Sequence, residues 1–348
     1  MSQPPHPAPL HQQLLANLKT VFTESAAPPS RPRFTGPITP DYTSNPVTIP
    51  PTFLTTAPPD ARPPTASRIN FAASPLPEYA GLYAVVLDHV LSPSECAALL
   101  ALAEASVPTV DAEKGDKDDG GSGSGGKKTL LRNGPDDPWG PALVNVGGGR
   151  EVLWDTYRNG DRIVWDHQEV VNRIWARCLS AAEEAASDDG DAMRERFDKI
   201  GAGEEEIVGN MWEDWAAGRW EFLRVNERMR FLRYGKGGFF KPHCDAPFAD
   251  TRDPSRNIQT IFTIHLYLND SKAEVEEAEL VGGATTFFSR DRKRRIDVNP
   301  KAGRVLIFQH KGLLHSGDDV LRGTKYTMRT DIIYELKLPE TTQEGVVG

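Results

Sequence analysis

From Glu221 onward the chain breaks into short segments rich in β-branched and aromatic residues, and this texture limits its fold more than any other feature of the sequence. Phe222–Val225, Met229–Tyr234, Phe239–His243, Thr260–Leu268, Ala284–Phe288, Ile296–Pro300, Arg304–Gln309 and Lys325–Tyr334 read as strands. Turn formers separate many of them: Lys236-Gly237-Gly238, Asn269-Asp270, Gly282-Gly283, Lys301-Ala302-Gly303 and Gly323-Thr324. Many short strands at this spacing imply a sandwich or barrel. Helices are expected ahead of it. After a strand within Leu82–Leu91, Ser92-Pro93-Ser94-Glu95 puts Ser at the N-cap, Pro at N1 and Glu at N3. That capping box starts a helix over Pro93–Ala105, with Cys96, Leu99, Leu100 and Ala103 on one face. Gln168–Ala186 is amphipathic: Val170, Ile174 and Cys178 lie four apart, as do Val171, Trp175 and Leu179. The expected class is α+β, a double-stranded β-helix (jelly roll) whose major sheet is buttressed by N-terminal helices.

The chain is not uniform. Of its 28 prolines, 18 precede residue 78, in a stretch that buries too little apolar surface to offset its ordering entropy. Residues 1–76 are therefore expected to be a disordered tail, with at most a short helix over His11–Phe22. Residues 77–220 read as a helical and mixed part, with a flexible low-complexity insertion at 111–128. Residues 221–337 read as the jelly-roll core and 338–348 as a C-terminal tail. Acidic stretches at Glu183–Asp191 and Glu204–Glu206 read as solvated faces or loops.

The net charge of −9 disfavours a general nucleic-acid binder. One local basic run, Arg290–Arg295 (RDRKRR), reads as a solvated loop, with a substrate-recognition rim as the alternative. Cys96, Cys178 and Cys244 are few and widely spaced, which suggests a reducing compartment. The N-terminus lacks a basic region followed by an apolar one, and no run of about 18 apolar residues occurs. A cytoplasmic or nuclear protein without membrane partners is the expectation.

His243-Cys244-Asp245 carries the chemistry. A histidine and a carboxylate two apart on a strand point to one face. A second histidine from a distant strand would complete a facial triad, which holds Fe(II) on one side and leaves positions open for a cosubstrate and O2. Cys244 alternates away from the pair and reads as packing.

The stretch Arg230–Asp245, RFLRYGKGGFFKPHCD, resembles the iron-ligand strand of prolyl 4-hydroxylases. Their Tyr-x-x-Gly-x-x-aromatic-x-x-His-x-Asp pattern falls on Tyr234, Gly237, Phe240, His243 and Asp245. Thr263–Asp270 looks like the next core strand, and Gly282-Gly283-Ala284-Thr285-Thr286-Phe287 follows where the family has Gly-Gly-Glu-Thr-x-Phe. Ala284 thus departs from the pattern, which weakens transfer of prolyl specificity. His315-Ser316-Gly317, Val320, Gly323 and Lys325 resemble the family's His-x-Gly…Val…Gly-x-Lys with the same ten-residue separation. The resemblance spans about residues 82–336 and is densest in the C-terminal third.

It implies an Fe(II)- and 2-oxoglutarate-dependent dioxygenase that hydroxylates its substrate and releases succinate and CO2. The catalytic and metal-binding residues implied are His243, Asp245 and His315, with Lys325 pairing the distal carboxylate of the cosubstrate. Arg329 shares a strand face with Lys325 and Thr327 and is the competing anchor, while Tyr234 and Thr263 are candidate donors to the same carboxylate. His310 ends an apolar strand and lacks the spacing to Lys325, and His265 reads as a satisfied sheet histidine. The implied cofactors are Fe(II), 2-oxoglutarate, O2 and ascorbate as reductant. A carboxylate at Asp245 favours hydroxylation over halogenation, since related halogenases leave that position to halide. The implied substrate is a peptidyl proline, with a small molecule as the alternative; the rival from another class is a non-catalytic metal- or 2-oxoglutarate-binding jelly roll.

Overall fold

A computed structural model describes residues 36–108, 129–130, 132–134, 136–184, 196–200, 205–208 and 218–338. The helix expected over 11–22, the insertion at 111–128 and the tail beyond 338 lie outside the described residues. The strands that build the core are β1 (Thr65–Arg68), β2 (Ala84–Asp88), β3 (Arg158–Asn159), β4 (Asp161–Asp166), β5 (Arg219–Val225), β6 (Arg228–Tyr234) and β7 (Phe239–His243). They continue with β8 (Ile258–Tyr267), β9 (Thr285–Phe288), β10 (Arg295–Val298), β11 (Val305–Gln309), β12 (His315–Gly317) and β13 (Lys325–Lys337). Helices α1 (Pro93–Ala105) and α2 (Gln168–Glu184) precede most of them.

The chain is mostly β, in an arrangement that fits a jelly roll. A major sheet of 11 strands has the central order β1-β2-β11-β8-β13-β6-β4, with β5 also pairing β13. A minor sheet of five strands runs β10-β9-β12-β7-β3. All these pairings are antiparallel.

Alternation along the major strands sorts their side chains between two environments. Phe262, Ile264 and Leu266 of β8, Val305 and Ile307 of β11 and Met328 and Ile332 of β13 enter one apolar cluster. The same cluster holds Cys96, Leu99 and Ala103 of α1 and Val170, Ile174 and Cys178 of α2. The intervening residues turn the other way: Leu306, Phe308 and Tyr267 join a second cluster with Phe287 of the minor sheet. The remaining polar ones, Thr263, His265, Lys325 and Arg329, are left facing a pocket.

Helix α1 begins as its sequence requires. Ser92 Oγ accepts from the Glu95 amide at 3.1 Å, and Glu95 accepts from the Ser92 amide at 2.8 Å. Glu95 is buried by this reciprocal cap and pairs with Arg177 of α2 at 2.9 Å, which ties the helices together.

The expected disorder through residue 76 does not hold from residue 36. Phe53, Leu54, Phe71 and Leu76 punctuate the prolines and are buried, and β1 pairs with β2. Arg173 and Arg177 of α2 donate to the carbonyls of Phe53 and Leu54 at 2.7 and 3.0 Å. Proline already restricts the unfolded chain, so ordering such a segment costs less than its length suggests. A few apolar anchors then suffice.

Candidate active site

His243 ends β7 and His315 begins β12, and the two are direct partners in the antiparallel pairing. Asp245 follows β7 by two residues and is 6% exposed. The ligand atoms of His243, Asp245 and His315 all lie within 4.8 Å of one another. His243 Nε2 is 3.6 Å from one Asp245 oxygen, and His315 Nε2 is 3.8 Å from the other.

Each imidazole has its tautomer set by the carbonyl two residues before it. His243 Nδ1 donates to the carbonyl of Lys241 at 2.8 Å, and His315 Nδ1 donates to that of Leu313 at 3.0 Å. With the proton fixed on Nδ1, the Nε2 lone pair faces inward, as a metal ligand requires. Burial pushes the His315 pKa down to about 3, with the His243 ring adding to the effect, so this ring is a neutral donor. Phe240 stacks on His243 at 3.8 Å between centroids, and Phe308 meets His315 edge-on at 4.7 Å, so both rings are held in orientation.

Asp245 is held from the opposite side. Arg329 Nη1 pairs with one of its oxygens at 2.9 Å, and Thr263 Oγ1 donates to the other at 2.6 Å. Burial acts to raise the Asp245 pKa, but Arg329 and the two imidazoles outweigh it and hold the carboxyl well below its usual range. Arg329 also contacts Asp331 at 3.2 Å, and Asp331 in turn meets Arg230 at 3.1 Å. His310 Nε2 sits 3.4 Å from Asp331, on the far side of this network from the triad.

One pocket gathers Tyr234, His243, Asp245, Thr263, His315, Lys325 and Arg329, every site residue expected from the sequence. Two of them face partners other than those anticipated. Thr263, expected to serve the cosubstrate, gives its proton to Asp245, and Arg329, the competing anchor, bridges Asp245 and Asp331. Lys325 is different: it is 3% exposed and has no ion pair among the described residues. Its Nζ lies over the rings of Tyr267 and Tyr234 at 5.5 and 5.9 Å. Burial lowers its pKa to about 8, with Asp318 acting weakly the other way. A buried amine of this kind fits the distal carboxylate of a diacid, just as three convergent donors fit Fe(II).

The paired glycines of the motif make room for that amine. Gly283 has φ of 75°, and a Cβ there would come within 3.1 Å of Lys325 Cδ. Gly282, with φ of 82°, would bring a Cβ to 2.3 Å from the Asp319 carbonyl oxygen.

Two further residues line the pocket unannounced by any motif. Arg158 of β3 donates to Tyr234 Oη at 3.3 Å and lies over the Phe240 ring at 4.5 Å. His265, read as a satisfied sheet histidine, instead faces the pocket with Nε2 buried and without a partner among the described residues. Its pairing opposite Arg329 puts it on the polar face of the sheet. Burial first, then Lys325 and Arg329, drive its pKa well below the ordinary value.

Residues 229–330 match the family model of the 2OG-Fe(II) oxygenase superfamily. No curated protein matches the chain. Among solved structures, a viral collagen prolyl hydroxylase from Paramecium Bursaria Chlorella virus-1 is 17% identical, covering 72% of this chain and 95% of its own, with a TM-score of 0.35. A Pseudomonas putida prolyl-4-hydroxylase is 17% identical over 76% of this chain and 94% of its own, with a TM-score of 0.36. A Trichoplax adhaerens prolyl hydroxylase, solved with a hypoxia inducible factor peptide fragment, is 13% identical over 56% and 70%, with a TM-score of 0.35. The stretch that matches the 2OG-Fe(II) oxygenase superfamily contains His243, Asp245, His315 and Lys325.

Proposed function

We propose that the chain is an Fe(II)- and 2-oxoglutarate-dependent dioxygenase that hydroxylates a prolyl residue of a polypeptide, with His243, Asp245 and His315 holding Fe(II) and Lys325 receiving the distal carboxylate of 2-oxoglutarate. The observation that carries the reading is one pocket with three donors converging within 4.8 Å and, beside them, a buried lysine without an ion pair among the described residues. Fe(II), 2-oxoglutarate and O2 together supply the oxidation, placing one oxygen atom in the substrate and the other in succinate as CO2 leaves. Ascorbate would keep the iron reduced.

The chain's own residues position and shield. Lys241 and Leu313 carbonyls keep both imidazole Nε2 atoms presented inward, and Thr263 and Arg329 steer the two oxygens of Asp245. Arg329 is already engaged by two carboxylates, which favours Lys325 as the cosubstrate anchor. Tyr234 faces Lys325 across the sheet and offers its hydroxyl to the same carboxylate. An aromatic tier of Phe240, Tyr157 and Trp154 leads away from His243, with centroids 5.6 and 4.8 Å apart, and suits a pyrrolidine ring. In this reading α1 and α2 buttress a double-stranded β-helix, and the three free cysteines suit a reducing compartment.

The test is succinate release with Fe(II), ascorbate and proline-containing peptides, with mass spectrometry for addition of one oxygen to the peptide. Wild type should couple the two, and His243→Ala and Asp245→Ala should abolish both. Full turnover in either variant refutes the triad. Metal and 2-oxoglutarate binding with no succinate under any condition refutes hydroxylation and leaves a binding protein.

A further inference from the structure

The loop joining β9 to β10, with the first residue of β10, is the most basic run in the chain, Arg290-Asp291-Arg292-Lys293-Arg294-Arg295, and all six residues are exposed. Two of its arginines are occupied. Arg294 donates to the Pro75 carbonyl at 2.6 Å and to Glu78 at 2.9 Å, and Arg295 pairs with Asp297 at 2.6 Å. Arg290, Arg292 and Lys293 have no ion pair among the described residues.

This loop is not slack. Buried Ser289 organises it: its amide donates to the Arg294 carbonyl at 2.9 Å, and its hydroxyl donates to Asp291 at 2.6 Å. The Arg292 amide donates back to the Ser289 carbonyl at 2.8 Å. Arg292 itself has φ of 60°, the left-handed region that a residue other than glycine enters at a cost. A loop whose only duty was solubility would need neither the strain nor the bonding.

Its place follows from the sheet. Phe287 of β9 pairs with His315 of β12, and β9 then runs on into the loop; His243, at the end of β7, pairs with the same His315. The basic turn therefore leaves the minor sheet at the end that holds the triad.

We propose that Arg290, Arg292 and Lys293 form a docking lip for an acidic segment of the polypeptide substrate, an inference that rests on the hydroxylase reading above. Three cations without an ion pair among the described residues stand out beside the site in a chain of net charge −9, and carboxylates are their complement. A nucleic-acid backbone carries charge at every phosphate and extends well past three cations, whereas an acidic peptide can match them and stop. Exposed pairs of this kind set specificity and encounter rate more than raw affinity.

The experiment uses the full chain loaded with Mn(II) and 2-oxoglutarate. Fluorescence anisotropy measures binding of three labelled probes: a peptide of alternating Glu and Pro, its Gln-Pro counterpart, and an oligo-dT of similar length. Wild type should bind the Glu-Pro peptide about tenfold more tightly than the Gln-Pro peptide, with the difference fading at high salt. R290E/R292E/K293E should abolish the preference. R290Q/R292N/K293Q, whose Asn suits the left-handed position, should reduce it to an intermediate value. Equal binding of the two peptides by wild type, or a preference untouched by both variants, overturns the proposal. Tighter binding of oligo-dT, lost in the same variants, also overturns it and assigns the lip to nucleic acid. A failure of Mn(II) or 2-oxoglutarate to bind would strike the hydroxylase reading alone, because the peptide comparison reports on the lip directly.

Discussion

Replacing Lys325 with Met should make the protein more stable and worse at holding its cosubstrate. The amine is 3% exposed, and burial takes its pKa from 10.5 to about 8. At about 1.4 kcal/mol for each tenfold change, keeping it charged in the fold costs about 3 kcal/mol at neutral pH. Methionine fills nearly the same volume without the charge, so no cavity offsets the gain. The ligand-free variant should melt about 5 °C higher than wild type at neutral pH. The sign with pH follows from a lowered pKa on a base. The cost is fully present below about 8 and disappears as the wild-type amine discharges toward 10.5, so the two melting curves should converge with rising pH. Binding moves the other way. Losing a buried charge partner should cost about 3–5 kcal/mol of 2-oxoglutarate affinity, a hundredfold or more. Wild-type affinity should be flat below about pH 8 and weaken above it, while the Met variant stays flat. Thermal melts across pH and calorimetric titration of 2-oxoglutarate into the Mn(II) form read both effects. A Met variant no more stable than wild type at neutral pH would mean the amine already has a counter-charge. Unchanged cosubstrate affinity would move the anchor to another residue.

Arg329→Gln removes the cation shared by Asp245 and Asp331, leaving both carboxylates less compensated. Stability should fall by about 3 kcal/mol and Mn(II) affinity by about tenfold or more, read by denaturant melts and metal titration. Metal affinity equal to wild type would separate Arg329 from the orientation of Asp245. His265→Leu removes a buried nitrogen that lacks a partner among the described residues, so the ligand-free protein should gain about 1 kcal/mol in the same melts. A loss of stability instead would show that this ring makes a contact the fold depends on.

Local chemistry made some elements readable from the residues alone. Helix α1 runs over Pro93–Ala105, as the capping box of Ser92 and Glu95 dictates, and β7 runs over Phe239–His243 between its glycine turn and the dyad. Strand β13 continues to Lys337, beyond the expected Tyr334, because Leu336 still finds buried surface. Elements that depend on distant partners were not readable. Strand β1 has the polar sequence TASR and exists through its pairing with β2, and β4 lies in a part read mainly for helices. The site divides in the same way. The family resemblance placed His243, Asp245, His315 and Lys325 in one motif set, and the fold brings them to one pocket. Arg158 comes from outside the motif-dense third, and nothing in its neighbourhood of sequence marks it. That Arg329 meets Asp245 is a fact of two sheets facing each other, which a shared strand face with Lys325 does not reveal.

Strand β1 has one more consequence. Strand β2, AVVLD, sends Val85 and Leu87 into one apolar cluster and Ala84 into another, and β1, with mostly exposed side chains, covers its outer edge. The polar strand thus acts as an insulator on an otherwise adhesive rim. A shortened chain beginning where the family resemblance begins would keep every ligand and cosubstrate residue, yet bare that rim to other copies of itself. Its failure would show as self-association, and a search for the fault among the iron ligands would be looking at the wrong end of the sheet.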